Sequence, residues 1–193
     1  MSVIPDHILY KMGPSLVDPF VAANVQPASI DLRLGNDFIV FDDYEGMYID
    51  LGEPAITDQS RRVVKSHEDG FVLHPGEFVL GCTMERVTIP NNIVARLDGK
   101  SSIGRIGLMI HITAGFVDPG WEGRLTLEIY NVRRKPIILR PGRLFCQISF
   151  MQMYSPSAQS YQGRYQGADE VQPSLYGSEV TNNNNVKSFQ LVK

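Results

Sequence analysis

Gly99-Lys100-Ser101-Ser102-Ile103-Gly104-Arg105 brings two cations, two hydroxyls and two flexible glycines into one short run. Cations and hydroxyls presented from a loop can converge on an anion, because charge-assisted hydrogen bonds to phosphate oxygens are strong and short. The Gly-Lys-Ser order suggests a P-loop, but that motif needs another glycine five residues ahead of Gly99, where Val94 stands. The run from Arg105 to Ile112 also carries Gly107 and β-branched residues, which favour a strand over the helix that must follow a P-loop. By itself the segment fits a solvated polar turn as well as an anion site.

Asp118 precedes Pro119-Gly120, so its backbone is pushed to extended geometry and the turn fixes where the carboxylate points. Such a group can accept from a sugar hydroxyl or orient a water, or simply open a turn. Just beyond it, Leu125, Leu127 and Ile129 share one face of a strand, and Thr126, Glu128 and Tyr130 share the other. Glu128 therefore leaves the core face. Facing water it is an ordinary solvated glutamate; covered by another subunit it can serve as a general acid and base.

Two familiar hydrolytic chemistries find no footing. Zinc-dependent nucleobase deaminases need a His-x-Glu pair and a Cys-x-x-Cys pair. Here His7, His67, His74 and His111 are scattered, and Cys82 and Cys146 lie far apart, so no zinc site is expected. His111, in an apolar run, reads as a satisfied structural histidine. No Gly-x-Ser-x-Gly elbow is present.

The elements that hold these residues read as mainly β. Pro5-Asp6 followed by Ile8, Leu9 and Met12 predicts a short N-terminal helix ended by Gly13-Pro14. Ile30, Leu32 and Leu34 alternate with Asp31 and Arg33, and apolar runs recur at 38–41, 71–73, 78–80, 87–89, 108–112 and 144–150. Pro75-Gly76, Pro119-Gly120 and Pro141-Gly142 sit between such runs and predict type II turns. Short strands joined by tight turns give a β sandwich or barrel.

With 193 residues and 43% hydrophobic content, one domain with a sizeable core is expected. We read residues 1–154 as that domain and 155–193 as a polar C-terminal extension, rich in Ser, Gln, Gly and Tyr as far as Gly167 and carrying an Asn182–Asn185 run. Such a tail is disordered unless a ligand or a neighbouring subunit orders it. The net charge of −3 gives no general attraction to nucleic acid. Two buried free thiols, no signal segment and no membrane span are expected, hence a cytoplasmic protein.

Taken together, Gly99–Arg105, Thr113–Trp121 and Thr126–Glu128 resemble the signature of the dCTP deaminase family, trimeric relatives of the dUTPases. Gln26-Pro27-Ala28-Ser29-Ile30-Asp31-Leu32-Arg33-Leu34-Gly35, Pro141-Gly142 and Cys146-Gln147-Ile148 extend the resemblance over roughly residues 1 to 167. It implies a distorted dUTPase-like β-barrel homotrimer with sites at subunit interfaces, and magnesium carried on the triphosphate. The implied activity is hydrolytic deamination of dCTP to dUTP and ammonia, feeding dUMP supply. In the roles the resemblance implies, Glu128 shuttles the proton of a water attacking C4 of cytosine, with Ser101 and Arg105 positioning that water. Lys100, Ser102, Arg105 and Gln147 contact the triphosphate within a binding segment that includes Ile103 and Gly104. Asp118 holds the deoxyribose, the backbone at Thr126 and Leu127 reads the base, and Tyr161, Arg164 and Gln166 form a C-terminal lid over the phosphates. Such a lid excludes bulk water.

The chain departs from the pattern at Arg164, where lysine is usual, and at Ala168, where glutamine is expected. Glu128 argues for deamination over simple dUTP diphosphatase activity, since that strand position is usually apolar in dUTPases. Thr113-Ala114-Gly115-Phe116 resembles the bifunctional branch, which continues to dUMP and diphosphate; the deaminase-only branch tends to carry His-Arg at Gly115-Phe116. A dUTPase without deaminase activity and a non-enzymatic nucleotide-sensing trimer are the alternatives. dTTP, an inhibitor in parts of the family, is a candidate ligand beside dCTP and dUTP.

Overall fold

The computed structural model describes residues 2–41, 61–66 and 69–176. Its strands pair throughout in antiparallel fashion into two six-stranded sheets and a two-stranded ribbon. The first sheet runs Phe116–Val117, Ile93–Gly99, Leu144–Gln152, Ser29–Arg33, Val25–Gln26, with Ser2–Val3 also on Leu144–Gln152. The second runs Leu108–Met109, Glu122–Asn131, Phe78–Thr88, Asp37–Phe41, Arg61–Lys65, with Val17–Asp18 also on Phe78–Thr88. One apolar cluster spans both sheets, with Ile30, Leu97 and Phe150 from the first and Phe38, Val87 and Leu127 from the second. Arg33 ties the sheets together: its backbone N–H and its Nε both donate to the buried Glu85 carboxylate, at 2.8 and 2.6 Å. The mainly β expectation holds, in its sandwich form. Between the sheets there is an isolated Leu34–Thr83 bridge, and among the described residues the ladders do not close into the implied barrel.

All three Pro-Gly turns form as predicted. Gly76, Gly120 and Gly142 take φ of 76, 85 and 77°, the region type II turns require of their third residue. Each turn is closed by the residue after its glycine: Glu77, Trp121 and Arg143 N–H donate to the carbonyls of His74, Asp118 and Arg140.

Other expectations need correction. The N-terminal helix runs Asp6–Leu16, with Pro14 inside it. Leu9, Gly13 and Leu16 are buried, so core packing carries the last turn past a proline that can make no helical hydrogen bond of its own. The run at 78–80 and residues 87–88 of the next run belong to one strand, Phe78–Thr88, and the run at 108–112 gives only Leu108–Met109. Ile93–Gly99, which leads directly into the Lys100 segment, is a strand the apolar pattern did not reveal. Cys82 and Cys146 are buried and free, as expected, and burial pushes the Cys82 thiol up to about 11.

Residues 155–176 form no strand or helix, yet they are ordered against their own chain. Gly167 N–H donates to Glu122 C=O, Arg124 N–H donates to Ala168 C=O, and Val171 is buried against Ile39, Leu80 and Cys82. The Asn182–Asn185 run and His67 lie outside the described residues. Among the described residues no helix is long and apolar enough to cross a membrane.

Candidate active site

The Glu122–Asn131 strand alternates as its sequence dictates: Leu125, Leu127 and Ile129 are buried, and Thr126, Glu128 and Tyr130 are half-buried on the opposite face. Its ladder to Phe78–Thr88 sets Glu128 opposite Leu80 and Thr126 opposite Cys82, after a register shift between Arg124 and Thr126. At that irregularity Leu125 N–H donates to the buried Thr83 hydroxyl at 3.0 Å, so the shift leaves no orphan donor.

Glu128 is not the solvated residue of the plain account. Its side chain is 28% exposed, and Oε2 accepts the backbone N–H groups of Ile112 and Thr113 at 2.9 and 3.1 Å. His111 Nδ1 stands 4.0 Å from the same oxygen. Both ring nitrogens of His111 are buried without a hydrogen-bond partner, which overturns its reading as a satisfied structural histidine. A cavity of about 560 Å³ opens over this face, bordered by Glu128, Thr126, Asp118, Trp121, His111 and Tyr161 among others. Burial pushes the pKa of the Tyr161 phenol above its ordinary value, and the nearby Asp118 charge adds to that.

The Lys100 segment forms a short helix, Ser101–Gly104, straight after the Ile93–Gly99 strand. A second cavity of about 350 Å³ lies there, bordered by Lys100, Ser101, Gly104 and Gln147. His111 borders both cavities. Lys100 is committed to a partner the sequence did not suggest: its ammonium pairs with Asp31, which is 2% exposed and also accepts from Gln26 Nε2 at 3.3 Å. Ser102 and Arg105 are exposed and border neither cavity, and Ile103 packs on the core. Within one chain, then, the Lys100 segment and Glu128 face separate spaces.

Of the three predicted lid residues, Tyr161 borders the Glu128 cavity and Arg164 and Gln166 do not. Tyr161 packs its ring 5.4 Å from that of Trp121, at 58°. Gln166 donates to Gly120 C=O at 2.8 Å and accepts Glu122 N–H at 3.2 Å, and Arg164 donates to Leu175 C=O at 2.9 Å. None of the three borders the Lys100 cavity. Leu127 buries its side chain completely, so only its backbone is available to a ligand. Among the described residues no group of three or more His, Cys, Asp or Glu side chains converges in the manner of a metal site.

The sequence analysis gave no site role to Asp31, His111 or Trp121. Asp31 occupies the polar phase of its strand, and the register that sets it beside Gln147 of the Leu144–Gln152 strand is visible only in the structure.

Comparison with known proteins gives these features a family. A family model described as dCTP deaminase-like matches residues 7–153. The chain is 47% identical over 162 residues to a protein of Beutenbergia cavernae, covering 80% of this chain and 83% of that one. It is 48% identical over 158 residues to a protein of Tropheryma whipplei, covering 78% and 79%. Both relatives are named dCTP deaminase, dUMP-forming. Among solved structures, the 2′-deoxycytidine 5′-triphosphate deaminase of Agrobacterium tumefaciens superposes with a TM-score of 0.60 at 25% identity, over 77% of this chain; the chain spans about half, 47%, of that protein. The match begins in the first helix and ends with the strand that carries Gln147, enclosing Lys100, Asp118 and Glu128: the chain belongs to the dCTP deaminase-like family.

Proposed function

We propose that this protein hydrolyses dCTP at C4 and carries the nucleotide on to dUMP, with ammonia and diphosphate as the other products. The observation that carries the reading is Glu128, a half-buried carboxylate gripped at one oxygen by two backbone N–H groups on the wall of a nucleoside-sized cavity. Oε1 is left to meet a water. The water's oxygen bonds to C4 as its proton passes through Glu128 to N3; Glu128 then carries the proton of the new C4 hydroxyl to the amino group, so that the C4–N bond breaks, ammonia leaves and the C4 carbonyl forms. Ser101 and Arg105 position the attacking water, Asp118 holds the deoxyribose, and Thr126 with the Leu127 backbone reads the base.

Lys100, Ser101, Ser102, Arg105 and Gln147 hold the triphosphate. Among the described residues the Lys100 cavity is bordered by cationic and neutral groups and by no carboxylate. That donor set suits the oxygens of a magnesium-bearing triphosphate, with the magnesium carried on the nucleotide. When bound it neutralises phosphate charge.

A homotrimer would bring the two half-sites together across a subunit seam. Support comes from the exposed Ser102 and Arg105 and from Ile106, Met109, Ile112 and Phe116, apolar residues 52, 42, 44 and 58% exposed along the same stretch. In this reading residues 1–154 are the catalytic domain and 155–193 its lid and tail, with Tyr161, Arg164 and Gln166 closing on bound nucleotide.

The second, diphosphate-releasing step has support at Gly115. A Cβ there would stand 2.6 Å from the Leu97 carbonyl oxygen, so this backbone does not admit the His-Arg pair in place of Gly115-Phe116. Incubation with magnesium and dCTP tests the reading: ammonia, dUMP and diphosphate are expected in equal amounts. Ammonia with dUTP restricts the enzyme to deamination, diphosphate from dUTP without ammonia from dCTP makes it a dUTPase, and binding without turnover makes it a nucleotide sensor.

A further inference from the structure

Asp31 lies in the Ser29–Arg33 strand, 2% exposed and in register with Gln147. Its Oδ2 takes both the Lys100 ammonium and the Gln26 amide, while its Oδ1 is buried with no hydrogen-bond partner. Glu85, 1% exposed, by contrast engages Arg33 through both oxygens, at 2.8 and 2.6 Å. A buried carboxylate with an idle oxygen is costly, and it brings a fold no stability that packed apolar residues would not match. That cost points to a task outside stability.

The task lies at Lys100. Among the described residues it is the only Lys, Arg, Asp or Glu that borders the cavity read as the triphosphate site. Its charge is offset from behind by Asp31, and it cannot leave without stranding a buried carboxylate unpaired. An ammonium has three donors, so the pair still offers N–H groups to phosphate while cancelling the net charge. Arg105, which has no ion pair among the described residues, is then the one unopposed cation of 99–105.

We propose that Asp31 sets the form of nucleotide this protein accepts: by cancelling Lys100 it leaves the site too weakly positive for metal-free dCTP and matched to the magnesium complex. The inference rests on the reading of the Lys100 cavity as a triphosphate site. At pH 8 metal-free dCTP carries about four negative charges and its magnesium complex about two. Coulomb energy follows the product of the charges, so one charge gained or lost at the site shifts the logarithm of affinity about twice as far for the free form. Asp31 is thus a specificity-determining residue that acts through Lys100 without touching the nucleotide.

Calorimetric titration at pH 8 tests this in Glu128→Gln protein, where dCTP persists, with the nucleotide supplied once in EDTA and once in magnesium. The free form should bind roughly tenfold more weakly than the complex. Adding Asp31→Asn, which keeps an oxygen for Lys100, should tighten the free form about tenfold and the complex about threefold, narrowing the gap about threefold. Lys100→Gln alone leaves the carboxylate unopposed and should widen the gap. The two substitutions together restore the local charge and should return the gap to its starting size. A purely structural Asp31 would shift both forms by one factor in every variant. That result, or equal binding of the two forms before Asp31 is changed, overturns the inference about Asp31. Failure of dCTP to bind in either form overturns instead the reading of the cavity.

Discussion

Replacing Glu128 by Gln separates holding from proton transfer. Both backbone donors, from Ile112 and Thr113, reach the same oxygen, Oε2, so a single amide oxygen can accept both with the geometry unchanged. What falls is the charge assistance, which roughly doubles the strength of such bonds. With the side chain 28% exposed, water competes for the same donors, and about 1 kcal/mol of stability is lost in total. For a chain of this size that lowers the melting temperature by roughly 2–4 °C. Catalysis responds far more, because an amide cannot take up and return a proton; loss of a general acid and base costs roughly 100- to 10,000-fold. Ammonia release under saturating dCTP, measured beside a melting curve and a dCTP binding titration, gives all three quantities. Turnover within about threefold of wild type would refute the role given to Glu128. So would a large melting shift that accounts for the lost activity.

Lys100→Met leaves the Asp31 carboxylate buried and unpaired, and should cost about 3 kcal/mol of stability in nucleotide-free protein, read by chemical denaturation. A melt unchanged from wild type would mean that Lys100 is free for phosphate alone. Burial favours the neutral Cys82 thiol, so the unfolded chain ionises first; stability should decline as pH rises from about 9 to about 11, and a Cys82→Ala variant should show less of that decline. Removing magnesium with EDTA should abolish turnover and added magnesium should restore it, while a zinc-selective chelator in magnesium-replete buffer leaves the rate unchanged.

Local chemistry was legible where it was periodic or stereochemical. The alternation across Leu125–Tyr130 put Glu128 on the non-core face, and the Pro-Gly pairs fixed three turns through the conformations their glycines adopt. Elements buried on both faces were harder to read. Phe78–Thr88 looked like two strands because its middle, Gly81 to Glu85, is almost wholly buried and so shows no alternation. Ile93–Gly99 was passed over because Ala95, Asp98 and Gly99 are weak strand formers that only sheet pairing recruits. Pairings distant in sequence left no local trace. Lys100 and Asp31 are 69 residues apart, and nothing near either names the other. The orphan nitrogens of His111 and Trp121 depend on what packs around them, which composition and spacing do not encode.

The central claim is that a water adds at C4 of cytosine and displaces ammonia. Running the dCTP reaction in ¹⁸O-labelled water and fragmenting the nucleotide product by mass spectrometry tests it directly. The account predicts heavy oxygen in the uracil ring of dUMP. A product whose base keeps its amino nitrogen, with label confined to the phosphate, would contradict it.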